Sequence, residues 1–287
     1  MQLIPVTETC NQKCVFCSAL GRKDSPSPAG VMSEIRRQIA AGAGTVILSG
    51  GETTLCGDIF RIIRAVRAAG VGVELQTNGL TSSSEKTARA LVMSGVTLFN
   101  INFPSHIPAV NDEMTGTSGT LERRASGVAN ILRFGGAVRL THIISSLNYS
   151  ALADFASYVV EKFPGVKYVQ FSYLKGMGGV LSSPRLLVPY ADVSPYLIRA
   201  FGVLEKTGVY AVADHIPPCF MGRFYARNVD YIKLESGVGE DIVPGEKAKL
   251  PGCRACVFRS RCAGPRKEHV RMIKNAVFIN PVKEVPA

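Results

Sequence analysis

The 287-residue sequence has no tryptophan, which removes one stacking residue. It has no apolar run of the ~18 residues that a membrane span needs. No charged-then-apolar leader precedes a small-residue cleavage site, and chemistry-bearing residues begin at Cys10. A soluble, cytoplasmic chain without a membrane partner is expected. No block of like charges forms a nucleic-acid arm; the densest basic group is Arg254, Arg259, Arg261, Arg266 and Lys267. Disorder is excluded by a hydrophobic content of 46% against 19% charged residues.

What is present is charge and cysteine. The formal charge of +11 favours anionic partners, although a basic, soluble surface alone accounts for it. Without an appended RNA-binding module, the sequence disfavours nucleic acid. Eight cysteines are the more informative count. A chain this long buries a core without disulfide staples, so clustered cysteines point to metal ligands or reactive thiols.

Short runs rich in Val, Ile, Leu and Phe read as strands at Leu3–Val6, Thr45–Leu48, Val71–Gln76, Thr97–Phe103, Ala137–Ile144 and Lys167–Tyr173. Val209–Val212 is a candidate seventh. Between them Ile59, Ile62, Ile63 and Val66, and again Leu152, Phe155, Ala156, Val159, Val160 and Phe163, recur at helical spacing. Ser83 or Ser84 and Ser150 suit N-caps. Gly70, Gly95 and Gly135 suit helix ends. Strand–helix alternation predicts an α/β fold with a parallel sheet, a partial (βα)6 TIM-like barrel, with a doubly wound sheet as the alternative. Chemistry then belongs at the C-terminal ends of the strands. After Pro217 the periodicity fades, giving two expected domains: 1–216, and a small loop-rich module over 217–287 with a short helix near Pro265–Lys274.

Cys10, Cys14 and Cys17 form C-x3-C-x2-C just past the first strand. Three thiolates on one loop ligate three corners of an iron–sulfur cubane and leave one iron open. A zinc site would want a fourth Cys or His, and the nearest histidine is His106. The second strand ends Ser49–Gly50–Gly51–Glu52–Thr53, the third Gln76–Thr77–Asn78–Gly79, the fourth Asn100–Ile101–Asn102–Phe103. In this order, each at a strand end, these motifs resemble those of the radical S-adenosylmethionine (radical SAM) superfamily. Thr53 departs mildly, since the family often has proline there. The resemblance covers about residues 1–216.

The resemblance implies a 4Fe–4S cluster on Cys10, Cys14 and Cys17, with S-adenosylmethionine chelating the open iron. Gly50, Gly51, Glu52 and Thr53 would hold its methionine end. A carboxylate suits an ammonium, and glycines permit close approach of backbone to a ligand. Thr77 and Asn78 would line the site, Asn102 would approach the ribose, and Phe16 the adenine. One electron, from a flavodoxin- or ferredoxin-type donor, would cleave S-adenosylmethionine to a 5′-deoxyadenosyl radical that abstracts a substrate hydrogen.

Cys253, Cys256 and Cys262 form C-x2-C-x5-C, with Cys219 upstream. Four cysteines alone suit zinc equally. Beside a radical SAM barrel the pattern resembles the SPASM/twitch modules. Full SPASM modules carry two clusters and about seven cysteines, so four imply one further 4Fe–4S cluster. Full ligation leaves it electron transfer rather than direct substrate binding.

Cys56 is a candidate hydrogen-atom donor, or a small buried residue at a helix start. Asp214 and His215 are candidate proton acceptors, or turn residues. His142 reads as a core histidine ahead of a substrate contact. Lys175–Gly176–Met177–Gly178–Gly179 reads as a flexible rim loop, with Tyr173 a possible substrate contact. The leading expectation is peptide or protein side-chain modification. The alternatives are a small-molecule dehydrogenase or cofactor-synthesis enzyme, an RNA-modifying enzyme, and a non-catalytic iron–sulfur or zinc scaffold.

Overall fold

A computed structural model describes residues 3–20, 27–237, 245–274 and 276–286. The described chain opens with β1 (Leu3–Thr7), α1 (Pro28–Ala40), β2 (Thr45–Gly50), α2 (Ile59–Ala68) and β3 (Gly72–Thr77). It continues with α3 (Glu85–Met93), β4 (Leu98–Asn102), α4 (Pro108–Thr115), α5 (Leu121–Arg133), β5 (Val138–Ile144), α6 (Leu152–Lys162) and β6 (Tyr168–Tyr173). The one-turn α7 (Gly179–Ser182), α8 (Tyr190–Lys206), β7 (Tyr210–Asp214), α9 (Val229–Glu235) and α10 (Lys267–Met272) follow. The chain divides into two compact units, Met1–Cys14 with Ala19–Thr141 and Lys162–Lys167, and Val15–Ser18 with His142–Glu161 and Tyr168–Ala287. They cut the chain elsewhere than at Pro217.

In the first unit β1 to β4 and residues 138–141 of β5 pair in parallel, in chain order. The register runs Leu3–Ile47–Glu74–Leu98, with an irregularity between Pro5 and Thr7 where the chain leaves β1 for the cysteine loop. One face of the sheet is apolar: Val46, Leu48, Val73, Leu75, Phe99, Ile101, Val138 and Leu140 are completely buried. Ile59, Ile62, Ile63 and Val66 form the buried stripe of α2. Each such side chain contributes roughly 1.5–3 kcal/mol. Ser84 caps α3 as expected, its hydroxyl accepting from the Thr87 N–H.

Beyond Ile47 and Leu98, the residues that alternate with this apolar set toward the strand ends are polar. Ser49, Glu74, Gln76, Asn100, Asn102, Arg139 and Thr141 share the other face, and most of them are hydrogen-bonded to a neighbour on it. Ser49 Oγ donates to Gln76 (2.8 Å), Thr141 Oγ1 to Asn100 (2.6 Å), and Arg139 pairs with Glu74 (2.5 Å). A parallel sheet covered on both faces reads as unbroken apolar runs; alternation toward the C-terminal strand ends marks a face built for polar contents.

In the second unit β6 pairs in parallel with β7, from Tyr168–Tyr210 to Ser172–Asp214. The candidate seventh strand thus forms. His142 is a core residue, its ring 4.1 Å from that of Phe155 and 5.8 Å from that of Phe171. Ser150 does not cap α6. It lies inside the 3-10 turn Tyr149–Ala151 that leads into that helix, with Asn148 before it. Beyond Pro217 the chain is mostly short 3-10 turns, but α9 forms, capped by Asn228, which accepts from Tyr231 N. The expected short helix appears as α10. Among the described residues no helix is long and apolar enough to cross a membrane.

Candidate functional site

The loop after β1 is held residue by residue. Gly51 N donates to Thr7 O (2.7 Å) and Glu52 N to Thr9 O (2.8 Å). Asn11 accepts from Asn78 Nδ2 (2.7 Å). Gln12, buried, donates to Thr120 (3.2 Å) and accepts from Arg124 Nη2 (2.9 Å). Lys13 N donates to Thr115 O (3.0 Å). All three residues between Cys10 and Cys14 are therefore tied to other elements of the first unit.

The two glycines of Gly50–Gly51 serve this clamp. Gly50 has φ +126°, and a Cβ there would lie 2.3 Å from Thr7 O; a Cβ on Gly51 would lie 2.3 Å from Thr9 O. Their close approach is to the backbone that leads into Cys10. The Glu52 carboxylate, 1% exposed, is likewise engaged by protein. Oε1 accepts from Thr54 N (3.1 Å), Thr54 Oγ1 (2.5 Å) and Thr77 Oγ1 (2.6 Å), and Oε2 from Asn78 N (2.7 Å). Thr53 Oγ1 donates to Gln76 O (2.7 Å). Glu52, Thr53, Thr77 and Asn78 thus lock the ends of β2 and β3 together and present the loop.

Arg124, on α5, is missed by sequence reading, because an arginine in an amphipathic helix reads as surface. It is 1% exposed. Its Nε donates to Asn78 O (3.1 Å), Nη1 to Asn111 Oδ1, and Nη2 to Gln12. Burial lowers its pKa to about 10, against the opposing pull of Cys14, Glu52 and Asp112.

Cys17 and Phe16 lie in the second unit. Phe16 packs with Val15 on an apolar cluster of Leu174, Val180, Leu186 and Leu187. Gly179 N donates to Cys17 O (3.0 Å). A Cβ on Gly178 would lie 2.2 Å from Cys17 O, and one on Gly179 2.4 Å from Val15 O. The stretch expected as a flexible rim loop is instead a backbone clasp on the third cysteine's segment, and its glycines are the legible sign.

Cys219, Cys253, Cys256 and Cys262 line one pocket, walled by Pro217, Phe258, Pro265, Ile279 and Pro281. Burial pushes the Cys219 thiol up to about 12 and the Cys262 thiol to about 11, and neighbouring cysteines add to both. Asn280 N donates to Cys219 Sγ (3.4 Å) and Gly264 N to Cys262 Sγ (3.3 Å). Among the described residues no three His, Cys, Asp or Glu side chains converge at the spacing of a single metal ion. The thiols share an apolar pocket with sulfur-directed N–H donors. Such a donor set fits an iron–sulfur cluster. None of the eight cysteines forms a disulfide.

Asn102 ends β4, and its Oδ1 is buried without a hydrogen-bond partner. An orphaned acceptor of this kind calls for a donor such as a ribose hydroxyl. Asp214 ends β7. Its Oδ1 lies 3.2 Å from Nδ1 of His215, which has φ +63°. His215 is held neutral by burial and by Lys247, Arg266 and Lys175. Tyr173 is buried, its ring 4.6 Å from Tyr190 and from His269. Cys56, half-buried, closes the 3-10 turn Thr53–Leu55, and its carbonyl accepts from Ile59 N at the start of α2.

The sequence profile of the Radical SAM superfamily matches residues 4–159, more than half of the chain. The chain is 24% identical over 282 residues to a probable GTP 3′,8-cyclase of Thermococcus kodakarensis, covering 96% of this chain and 86% of that protein. It is 29% identical over 181 residues to the GTP 3′,8-cyclase of Synechococcus elongatus, covering 58% of this chain and 53% of that one. It therefore spans only about half the length of some curated relatives. The structure of Streptococcus suis SuiB bound to S-adenosylmethionine is similar with a TM-score of 0.66 at 14% identity, over 95% of this chain and 74% of that one. Native anSMEcpe with bound AdoMet is similar with a TM-score of 0.65 at 14% identity, over 98% and 92%. These likenesses bear on the fold: a partial parallel sheet with flanking helices, continued by a C-terminal auxiliary module. With its three-cysteine loop at the end of β1 and its matching profile, the chain belongs to the radical SAM superfamily, whose chemistry needs one S-adenosylmethionine-binding 4Fe–4S site.

Proposed function

We propose that the protein modifies a peptide or protein side chain by hydrogen abstraction, with one radical SAM cluster and one auxiliary 4Fe–4S cluster. Cys10, Cys14 and Cys17 hold the first; Cys219, Cys253, Cys256 and Cys262 hold the second. Bound there, the groups supply reductive cleavage of S-adenosylmethionine, hydrogen abstraction and an electron sink. The chain's own part is to present them. Gly50, Gly51, Glu52, Thr77 and Asn78 shape the first loop, Asn102 offers its free acceptor, and Phe16 supplies an apolar surface. The Asp214 carboxylate, oriented by His215, takes a proton from the substrate. A flavodoxin- or ferredoxin-type donor supplies electrons.

The observation that carries this reading is the pocket ringed by four cysteines. Fourfold ligation leaves no open iron for a substrate, so that site suits electron transfer. Likeness in fold to SuiB, whose structure is also known bound to the precursor peptide SuiA, supports the peptide. The sequence likeness to GTP 3′,8-cyclases supports a second reading, a nucleotide or other small molecule. Anaerobically reconstituted protein is expected to contain about eight irons and to form 5′-deoxyadenosine with dithionite. A mass change in a short peptide encoded beside its gene decides for the first reading. A nucleotide product from GTP decides for the second.

A further inference from the structure

Two arginines of the described chain are buried, Arg124 and Arg266, and Arg139 is partly buried; Arg139 and Arg266 have carboxylate partners. Arg139 pairs with Glu74 (2.5 Å), and Arg266 with Glu246 (2.9 Å) and with Glu268. Arg124 differs. Its three polar partners are neutral oxygens: a peptide carbonyl and the side-chain oxygens of Asn111 and Gln12. Phe103 lies beneath it, 5.9 Å from centroid to guanidinium carbon. Burying a charge without a counter-ion costs several kcal/mol, and hydrogen bonds to neutral groups offset only part of that. Glu52 is one residue away, since Asn78 donates to it through N–H and accepts from Arg124 through C=O. The partners of Arg124 therefore stand at the end of β3, on α4 and on the cysteine loop. Arg124 also grips that loop directly, through Gln12, between Cys10 and Cys14.

We propose that Arg124 is a positioning residue of the three-cysteine loop and the built-in counter-charge of the anionic cluster that the loop carries. This rests on the reading that Cys10, Cys14 and Cys17 hold a 4Fe–4S cluster. A reduced cluster is more negative than an oxidised one, so a fixed cation in a low-dielectric site favours reduction. Arg124 thereby sets the potential at which the enzyme accepts its electron. Asn111 and Gln12, both amides, hold the guanidinium without cancelling its charge.

The test is an EPR-monitored redox titration of the full chain, with the first cluster identified by its spectral change on adding S-adenosylmethionine. Arg124→Gln removes the charge; Arg124→Lys keeps it and loses the planar fork. In Arg124→Gln the ratio of reduced to oxidised first cluster at a given potential is expected to fall about tenfold, equal to about 59 mV for one electron. Arg124→Lys is expected to stay near wild type in potential, with partial iron loading. Equal potentials in wild type and Arg124→Gln would overturn the proposal. If Arg124→Gln takes up no iron, Arg124→Lys decides: loading at wild-type potential upholds the counter-charge, and no loading reduces Arg124 to a brace and overturns it. A wild-type protein without any cluster responsive to S-adenosylmethionine would instead defeat the underlying assignment of Cys10, Cys14 and Cys17.

Discussion

Between Cys10 and Cys14 each residue is hydrogen-bonded into the first unit, whereas the four cysteines of the second unit hang on short 3-10 turns around an apolar pocket. The first loop is shaped by polypeptide: amides, a buried carboxylate and a buried arginine fix it without metal. The second site has walls of proline and phenylalanine and two thiols whose ionisation burial opposes. There a metal cluster would be a structural cross-link as well as a redox group. Removing the cysteines should therefore have different consequences at the two sites. In Cys10→Ala/Cys14→Ala/Cys17→Ala, iron is expected to fall from about eight to about four and 5′-deoxyadenosine formation to background, with melting little changed. In the variant with Ala at 219, 253, 256 and 262, iron should fall equally, but melting should drop by at least about 5 °C. Equal melting shifts in both would break the comparison. One zinc with four irons in the wild type would remove the auxiliary cluster.

Glycine substitutions sharpen the same contrast at a smaller scale. A Cβ at Gly51 meets Thr9 O at 2.3 Å, and one at Gly179 meets Val15 O at 2.4 Å. Backbone cannot step aside cheaply, and forced overpacking costs about 1–3 kcal/mol. At Gly252, beside Cys253, the nearest atom is the mobile end of the Ile279 side chain, Cδ1 at 2.4 Å. Gly51→Ala and Gly179→Ala should each lose more than half of the iron responsive to S-adenosylmethionine, while Gly252→Ala should retain about all its iron. Iron analysis with EPR reads all three; equal loading in all three would count against a backbone-shaped loop.

Much of this was legible in the sequence, because strand ends and cysteine spacings are local. The strand runs were placed to within a residue or two, and Val209–Val212 led to β7. What local pattern does not reveal is how a polar group is spent. Glu52 reads as a ligand for an ammonium, yet its carboxylate is met by Thr54, Thr77 and Asn78, which only the pairing of β2 with β3 brings near. Arg124 reads as solvent-facing because its acceptors come from the β1 loop, the β3 end and α4. Gly178–Gly179 reads as flexible because its neighbour, the Val15–Cys17 backbone, lies far away in sequence. The polar sheet face does leave a local pattern: Glu74–Gln76, Asn100–Asn102 and Arg139–Thr141 alternate with apolar residues.

The smallest expected effect asks how much of the second unit's stability is independent of metal. His269, on α10, is 0% exposed, with Nδ1 3.2 Å from Tyr190 Oη. Burial, reinforced by Arg266, lowers its pKa from 6.5 to about 3. A histidine buried neutral contributes fully above its unfolded pKa of 6.5, and that contribution is lost as pH falls toward 3, because the unfolded chain binds the proton first. The loss is about 1.4 kcal/mol per pH unit within that window. Denaturant unfolding at pH 7.5 and 5.5 should therefore show about 1.4 kcal/mol less stability at the lower pH from this residue. His269→Gln should be less stable at pH 7.5, for loss of ring packing, but should flatten that dependence. Since the residue is not a cluster ligand, the flattening should be the same with and without reconstituted iron. A pH dependence unchanged by His269→Gln would show that His269 is not buried neutral; flattening seen only after iron loading would tie α10 to the cluster.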